Sequence, residues 1–382
     1  MRHRSAFTAL LIASVTVLAC PADAKSRGTE TVFFGTHGTG PGQGIFSAHF
    51  DPATGALTSL GLAAEIERPT WQVASPTRPI LYSVSETGND GKSEASVSAF
   101  SIDTNTGKLS LLNKVGSGGG GATHLSLDPR SQTLFVANYG TATVTALPVN
   151  ADGTLGSLAS SQQQAGSGPK PRQKSAHAHS VAIDPSGHYL LSADLGADKV
   201  FVYSFNPATR QLTPAPTPSF SAQPGSGPRH IAFAPGGRFV YIDSELSGEV
   251  TAYRWNSANG TLGPIQTVPA FSSDYAGEKS AAEIAMSSDG RFLYLSTRNS
   301  DQLIVYSTDP SNGRLTEIQR LAAGGKTPWS FSLSPEGNWL LVANEGAGRI
   351  NVFKVNRRSG KLSATDKSLD VQSPVSVTFS KE

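Results

Sequence analysis

From His230 the chain alternates apolar with small residues, breaks at Pro235-Gly236-Gly237, and resumes in the apolar run Phe239-Val240-Tyr241. The same order returns at residues 283–294 and 330–341. Alternation of period two predicts strands, and a Pro/Asp/Gly turn between two of them predicts an antiparallel hairpin. A second pattern is a turn, Asp or Asn followed by small and polar residues, usually a Gly, and then Leu. It occurs seven times, at residues 51–57, 103–109, 150–155, 206–212, 256–262, 309–315 and 356–362. The repeat is about 51 residues long, which suits one blade of a propeller.

Four strands per period make a twisted sheet that is apolar on both faces and cannot bury them alone. Neighbouring sheets must therefore stack around an axis. The chain ends predict how the ring closes. Residues 373–380 match the first strand of a repeat with no second strand after it, and residues 31–36 match a second strand with nothing before it. Paired, they complete one blade and remove the open edge. The fold class expected is all-β, a seven-bladed β-propeller forming a single domain over residues 25–382. The polar stretch of residues 160–176 reads as a surface loop between two repeats.

Composition agrees with this. Gly (39) and Pro (24) are abundant among 382 residues, and only two are Met, so an all-helical bundle is excluded. The 31 basic and 29 acidic residues leave a net charge of +2. With no basic run interleaved with aromatics, nucleic acid is excluded as a partner.

The apolar stretch of residues 6–19 follows Arg2, His3 and Arg4. It is too short to span a membrane and reads as an export signal. Ala22-Asp23-Ala24 forms its cleavage site, so residues 1–24 would be removed and the protein would be periplasmic or secreted. Cys20 offers lipidation as an alternative. On the soluble reading the mature chain has no cysteine, and the fold is stable through its core alone.

Polar residues that break the repeat at equivalent strand ends are the candidates for chemistry. One ring follows the second strands: His37, Glu86, Tyr139, Leu195, Glu245, Arg298 and Glu345. Another lies at the start of the first strands: His124, His179, Arg229 with His230, Glu283 and Trp329. Gly227-Pro228-Arg229-His230 ahead of Ser244-Glu245-Leu246, and His177-Ala178-His179 ahead of Asp194-Leu195-Gly196, resemble the lactonase family of seven-bladed propellers. That family holds propeller-type 6-phosphogluconolactonases, carboxymuconate-lactonising enzymes and an exported gluconolactonase branch.

The resemblance implies a metal-free, cofactor-free site in which His179, Arg229, Glu245 and Arg298 are catalytic. His124, His230 and Glu283 are expected to bind substrate. Two guanidiniums suit a developing oxyanion and a carboxylate product, while either His179 or Glu245 could serve as base or acid. Plain readings stand beside these. Glu245 and Arg229 could simply pair, His177 could be a bystander, Glu86, Glu345 and His37 could be rim residues, and Trp329 could be packing.

The expected partner is a small lactone, with no membrane span. Export favours gluconolactone over its 6-phosphate, since phosphorylated sugars are cytosolic intermediates. A muconate-type lactonising cycloisomerase and a non-catalytic binding propeller are the alternatives.

Overall fold

The computed structural model describes residues 28–380. The stretch expected to be an export signal, and Cys20, lie outside the described residues. Seven four-stranded antiparallel sheets stand around a central axis. Blades are numbered here in chain order, and strands from the axis outward. The inner strand of blade 1 is the C-terminal segment Pro374–Phe379, which pairs with Glu30–Thr36 (Val377 opposite Phe34), so the ring closes as expected. Helical structure among the described residues is limited to two short 3₁₀ turns, Pro171–Gln173 and Glu345–Ala347. No described helix is long and apolar enough to cross a membrane.

The second strands are apolar along their length because they are covered on both faces. Ile80–Ser85, Phe239–Ser244, Phe292–Thr297 and Trp339–Asn344 are buried at every residue. Outer strands such as Leu362–Asp370 alternate between covered and exposed positions. Each core cluster bridges two blades. Phe34, Phe50 and Val377 of blade 1, for example, pack against Trp339, Leu341 and Val352 of blade 7.

The recurrent turn lies between the third and outer strands, and contact between blades explains its glycine. Gly360 has φ +73°, and a Cβ there would sit 2.2 Å from the ring of Phe292 in the preceding blade. Tyr294 of that blade donates its hydroxyl to the Gly360 carbonyl at 3.0 Å. The turn thus records close packing of one blade on the next: an aromatic ring meets its glycine in four copies, Ile80 meets Gly153, Leu60 meets Gly107, and Arg210 stands at that place in the remaining copy.

Residues 160–176 are not wholly a loop. Ser160–Gln163 form the outer strand of blade 3, and only the remainder crosses the mouth of the ring. The polar Ser-Ser-Gln-Gln sequence hid this strand, because an outer strand needs only one covered face.

Because Phe34 is fully buried at the seam between blades 1 and 7, Phe34→Ala is expected to destabilise the protein by about 3–5 kcal/mol. Chemical denaturation followed by tryptophan fluorescence measures this. A loss below about 1 kcal/mol would mean that the seam does not hold the ring.

Candidate active site

In six blades the inner strand begins irregularly. Its pairing with the second strand skips between Ala122 and His124, Ala178 and Ser180, Pro228 and Ile231, Ala281 and Ile284, and Pro328 and Ser330, and also at Gly35/Thr36. Such a bulge frees one or two residues from the pleat and re-aims their side chains. Thr123, His179, Arg229 with His230, and Trp329 occupy these skipped positions. All five line a cavity of about 260 Å³ at this end of the ring. Five members of the ring predicted after the second strands, His37, Glu86, Tyr139, Glu245 and Arg298, line it as well.

The Gly227-Pro228-Arg229-His230 motif shows how the chain builds the site locally. Gly227 has φ +63°, and a Cβ would lie 2.7 Å from Leu246. Its N–H donates to Asp198 at 2.8 Å, and its carbonyl accepts the N–H of Glu245 at 2.8 Å. The left-handed residue therefore sets Arg229 and Glu245 in register across the hairpin.

Glu245, 1% exposed, is the hub. Its Oε2 accepts Nε of Arg229 at 3.0 Å, and its Oε1 meets Nη2 of Arg298 at 2.8 Å and Nη1 of Arg172 at 2.5 Å. Burial pushes the Glu245 carboxyl up, but the guanidiniums of Arg298, Arg229 and Arg172 outweigh it and hold the group at about 2. Trp329 covers the far side, its ring 4.4 Å from the Arg298 guanidinium carbon and 5.9 Å from that of Arg229. It is half-buried and lines the cavity, so it is not simple core packing.

His179 Nε2 lies 3.8 Å from Glu245 Oε2, and its Nδ1 has no hydrogen-bond partner. Burial, then Arg229 and the neighbouring imidazoles and guanidinium, keep it well below the usual histidine range, and so uncharged at neutral pH. Four arginines (Arg68, Arg172, Arg229 and Arg298) face two glutamates (Glu86 and Glu245) around the cavity. The lining is therefore cationic.

The four residues expected to be catalytic, His179, Arg229, Glu245 and Arg298, meet at one place. Two expected substrate binders do not line the cavity. Glu283 is buried behind His230, accepting from Ser330 Oγ at 2.9 Å, and its Oε1 lies 3.1 Å from His230 Nδ1. His124 is stacked on Trp71 (centroids 4.3 Å apart) and stands edge-on to His230. Both hold the position that His230 holds in blade 5, one residue along the inner strand from the level of His179, Arg229 and Trp329. His230 does line the cavity.

His177 stacks on Tyr139, and its Nδ1 lies 2.9 Å from that residue's carbonyl; it is not part of the lining. His37 and Glu345 pair at 2.6 Å. Among the described residues no group of three or more His, Cys, Asp and Glu side chains is arranged to hold a metal ion.

Arg172 escaped the sequence reading because it belongs to no repeat. Its loop is fixed by Gln173, which is fully buried and donates to the Leu195 carbonyl at 2.8 Å and to Asp198 at 2.6 Å. Asp198 in turn holds Gly227, so one carboxylate joins the crossing loop to the Arg229 turn. A basic residue directly before a glutamine in an unrepeated loop was the only signal available.

Residues 31–379 match the family model described as lactonase, 7-bladed beta-propeller. The chain belongs to this lactonase family. It is 33% identical over 347 residues to the 6-phosphogluconolactonase of Bacillus subtilis, covering 91% of this chain and 97% of that relative. It is 32% identical over 335 residues to a 6-phosphogluconolactonase of Formosa agariphila, covering 87% and 94%. The solved structure of the periplasmic gluconolactonase of Pseudomonas aeruginosa superimposes with a TM-score of 0.86 at 35% identity, over 92% of this lactonase and 99% of that chain.

In the lactonase the Glu245 hub has a consequence for stability. Its carboxyl falls from an ordinary 4.5 to about 2 on folding, so its stabilising effect is complete above about pH 4.5 and is lost as pH falls through about 2. Glu245→Gln should remove that segment of the acid-unfolding curve. Glu245→Ala, which leaves buried guanidiniums without a counter-charge, should cost about 3–5 kcal/mol at pH 7. Thermal melts between pH 2 and 7 test both; an unchanged acid limb in Glu245→Gln would contradict the assignment.

Proposed function

We propose that this protein hydrolyses a sugar-derived lactone to the open aldonic acid in the cavity at the mouth of the ring. The observation that carries the reading is the convergence of Arg172, Arg229 and Arg298 on the single buried carboxylate of Glu245, beside an uncharged imidazole. Water adding to the lactone carbonyl puts negative charge on the carbonyl oxygen, and guanidinium groups already held in place stabilise it without reorganising. The product carboxylate suits the same fork. The relatives named 6-phosphogluconolactonase and gluconolactonase support the same reaction class.

Glu245 is poorly suited to take the proton from water. Both its oxygens are occupied by arginines, and a carboxyl held at about 2 is a feeble base. His179 fits that role: it is neutral and lines the cavity. Glu245 then serves to hold Arg229 and Arg298 in place, and those two act as electrostatic clamps.

The exported form begins at Lys25 on this reading and meets unphosphorylated sugars, so glucono-1,5-lactone is the preferred substrate. Cell fractionation with N-terminal sequencing tests the location. Recovery of an uncut chain from the cytoplasm would remove the argument for that substrate.

Acid release from glucono-1,5-lactone, corrected for spontaneous opening, tests the activity. His179→Ala should lower kcat by about 10²–10⁴-fold, and Arg298→Ala should lower it by about 10²–10³-fold. If the protein hydrolyses neither this lactone nor its 6-phosphate above background, the reading fails. Cyclisation of a muconate instead, a carboxylate oxygen adding across a C=C bond, would assign the site to lactonisation.

A further inference from the structure

Opening a lactone requires a proton for the leaving ring oxygen as well as a base for water. The imidazoles at the site cannot supply it as imidazolium. Burial and the adjacent charges keep His124, His179 and His230 all well below the ordinary histidine range. Immediately behind His230, however, stands the Glu283 carboxyl, which neither activates water nor holds an arginine.

We propose that His230 and Glu283 form a proton relay that protonates the leaving oxygen of the lactone; this rests on the hydrolytic reading above. His230 lines the cavity. Its Nδ1 is 3.1 Å from Glu283 Oε1, and the other oxygen of Glu283 accepts from Ser330 Oγ at 2.9 Å. The main chain of His230 is held in place, its N–H donating to Asp243 Oδ1 at 2.7 Å. Arg229 Nη1 lies 3.3–3.4 Å from both of its ring nitrogens.

The groups facing Glu283 come from three blades. Arg229 and His230 lie on the inner strand of blade 5, Asp243 on its second strand with Glu245 just beyond, Ser296 in blade 6, and Ser330 on the inner strand of blade 7. Burial, only partly offset by Arg229, raises the Glu283 carboxyl to about 7. At neutral pH a large fraction is therefore the neutral acid, and the pair can carry a proton without placing a cation among the arginines.

The step balances. Water's oxygen bonds to the carbonyl carbon and one of its protons goes to His179. The bond from that carbon to the ring oxygen then breaks, and the leaving oxygen takes the proton from His230 Nε2. His230 Nδ1 takes the proton of the Glu283 carboxyl. His230 ends neutral in its other tautomer, with Glu283 ionised. It is reset when Nε2 gains a proton from solvent and Nδ1 returns its own to Glu283, while His179 releases its proton to solvent. His230 is the catalytic residue of the pair, and Glu283 is a positioning residue that acts through it.

The pH profile of kcat/KM on an aldonolactone is the primary test, because the protonated carboxyl is the active form. Activity should fall as pH rises through about 7. Ser330→Ala removes a hydrogen bond that favours the ionised form, so that limb should move to higher pH. Glu283→Gln should abolish the limb and lower kcat by about 10²-fold, with KM changed less than about twofold. The same variant should hydrolyse dihydrocoumarin, whose phenoxide leaving group needs no such proton, at close to the wild-type rate.

Loss of both substrates to an equal degree in a folded Glu283→Gln protein, or a limb unmoved in Ser330→Ala, would overturn the relay. Should Glu283→Gln not fold, the Ser330→Ala limb decides the question alone. A wild-type protein inactive on every lactone would instead remove the hydrolytic reading itself.

Discussion

The pairing of Pro374–Phe379 with Glu30–Thr36 is the constraint on which the rest of the molecule depends. A blade is apolar on both faces, so seven of them are stable only when each has two neighbours. The seam between blades 1 and 7 is where the chain must supply that neighbour from its two ends. The cavity draws His37 from blade 1, Trp71 from blade 2, His179 and Arg172 from or beside blade 4, Arg229 and Glu245 from blade 5, Arg298 from blade 6 and Trp329 from blade 7. No fragment of the ring contains the site. Fold stability and site geometry are therefore fixed by the same closure.

Within that frame the site concentrates charge where a protein interior ordinarily excludes it. Removing one carboxylate and its guanidiniums from water is costly, and attraction alone repays it only if every polar atom finds a partner. The two oxygens of Glu245 meet that condition with three arginines, while Nε of Arg298 is left buried without a partner. The arrangement leaves excess positive charge facing the cavity, held by packing against Trp329 and by the Gly227 turn. Burial has a different effect one layer deeper. Glu283 and Asp243 lack enough cationic neighbours, and burial raises them to about 7 and about 8. Two carboxyl populations, one held ionised and one largely neutral, lie within a few residues of each other because the arginines face the mouth.

Much of this was legible along the chain, for reasons that can be named. Strand alternation and the turn that packs against the preceding blade are local patterns repeated seven times, so repetition averaged out the noise in any single copy. Equivalent positions such as Glu245 and Arg298 then fell into a ring by counting. The polar outer strand Ser160–Gln163 did not declare itself, because a strand with one covered face carries little hydrophobic signal. Nor did the placing of Glu283 and His124 outside the lining: they stand level with His230, which lines it, and nothing in the residue types marks where the pairing skips.

What the amino-acid order determined by itself was the number of blades, the way the ends meet, and a ring of polar residues at equivalent strand ends, since each follows from short-range periodicity; the choice of His179, Arg229, Glu245 and Arg298 among them came from the resemblance to the lactonase family. Only the folded ring decided the rest. It brought Arg172 in from an unrepeated loop, assigned Glu245 to holding arginines, and set Glu283 behind His230. Those outcomes depend on distances of a few ångströms between segments far apart in the chain, and on the charge and burial that such distances create, which no local pattern encodes.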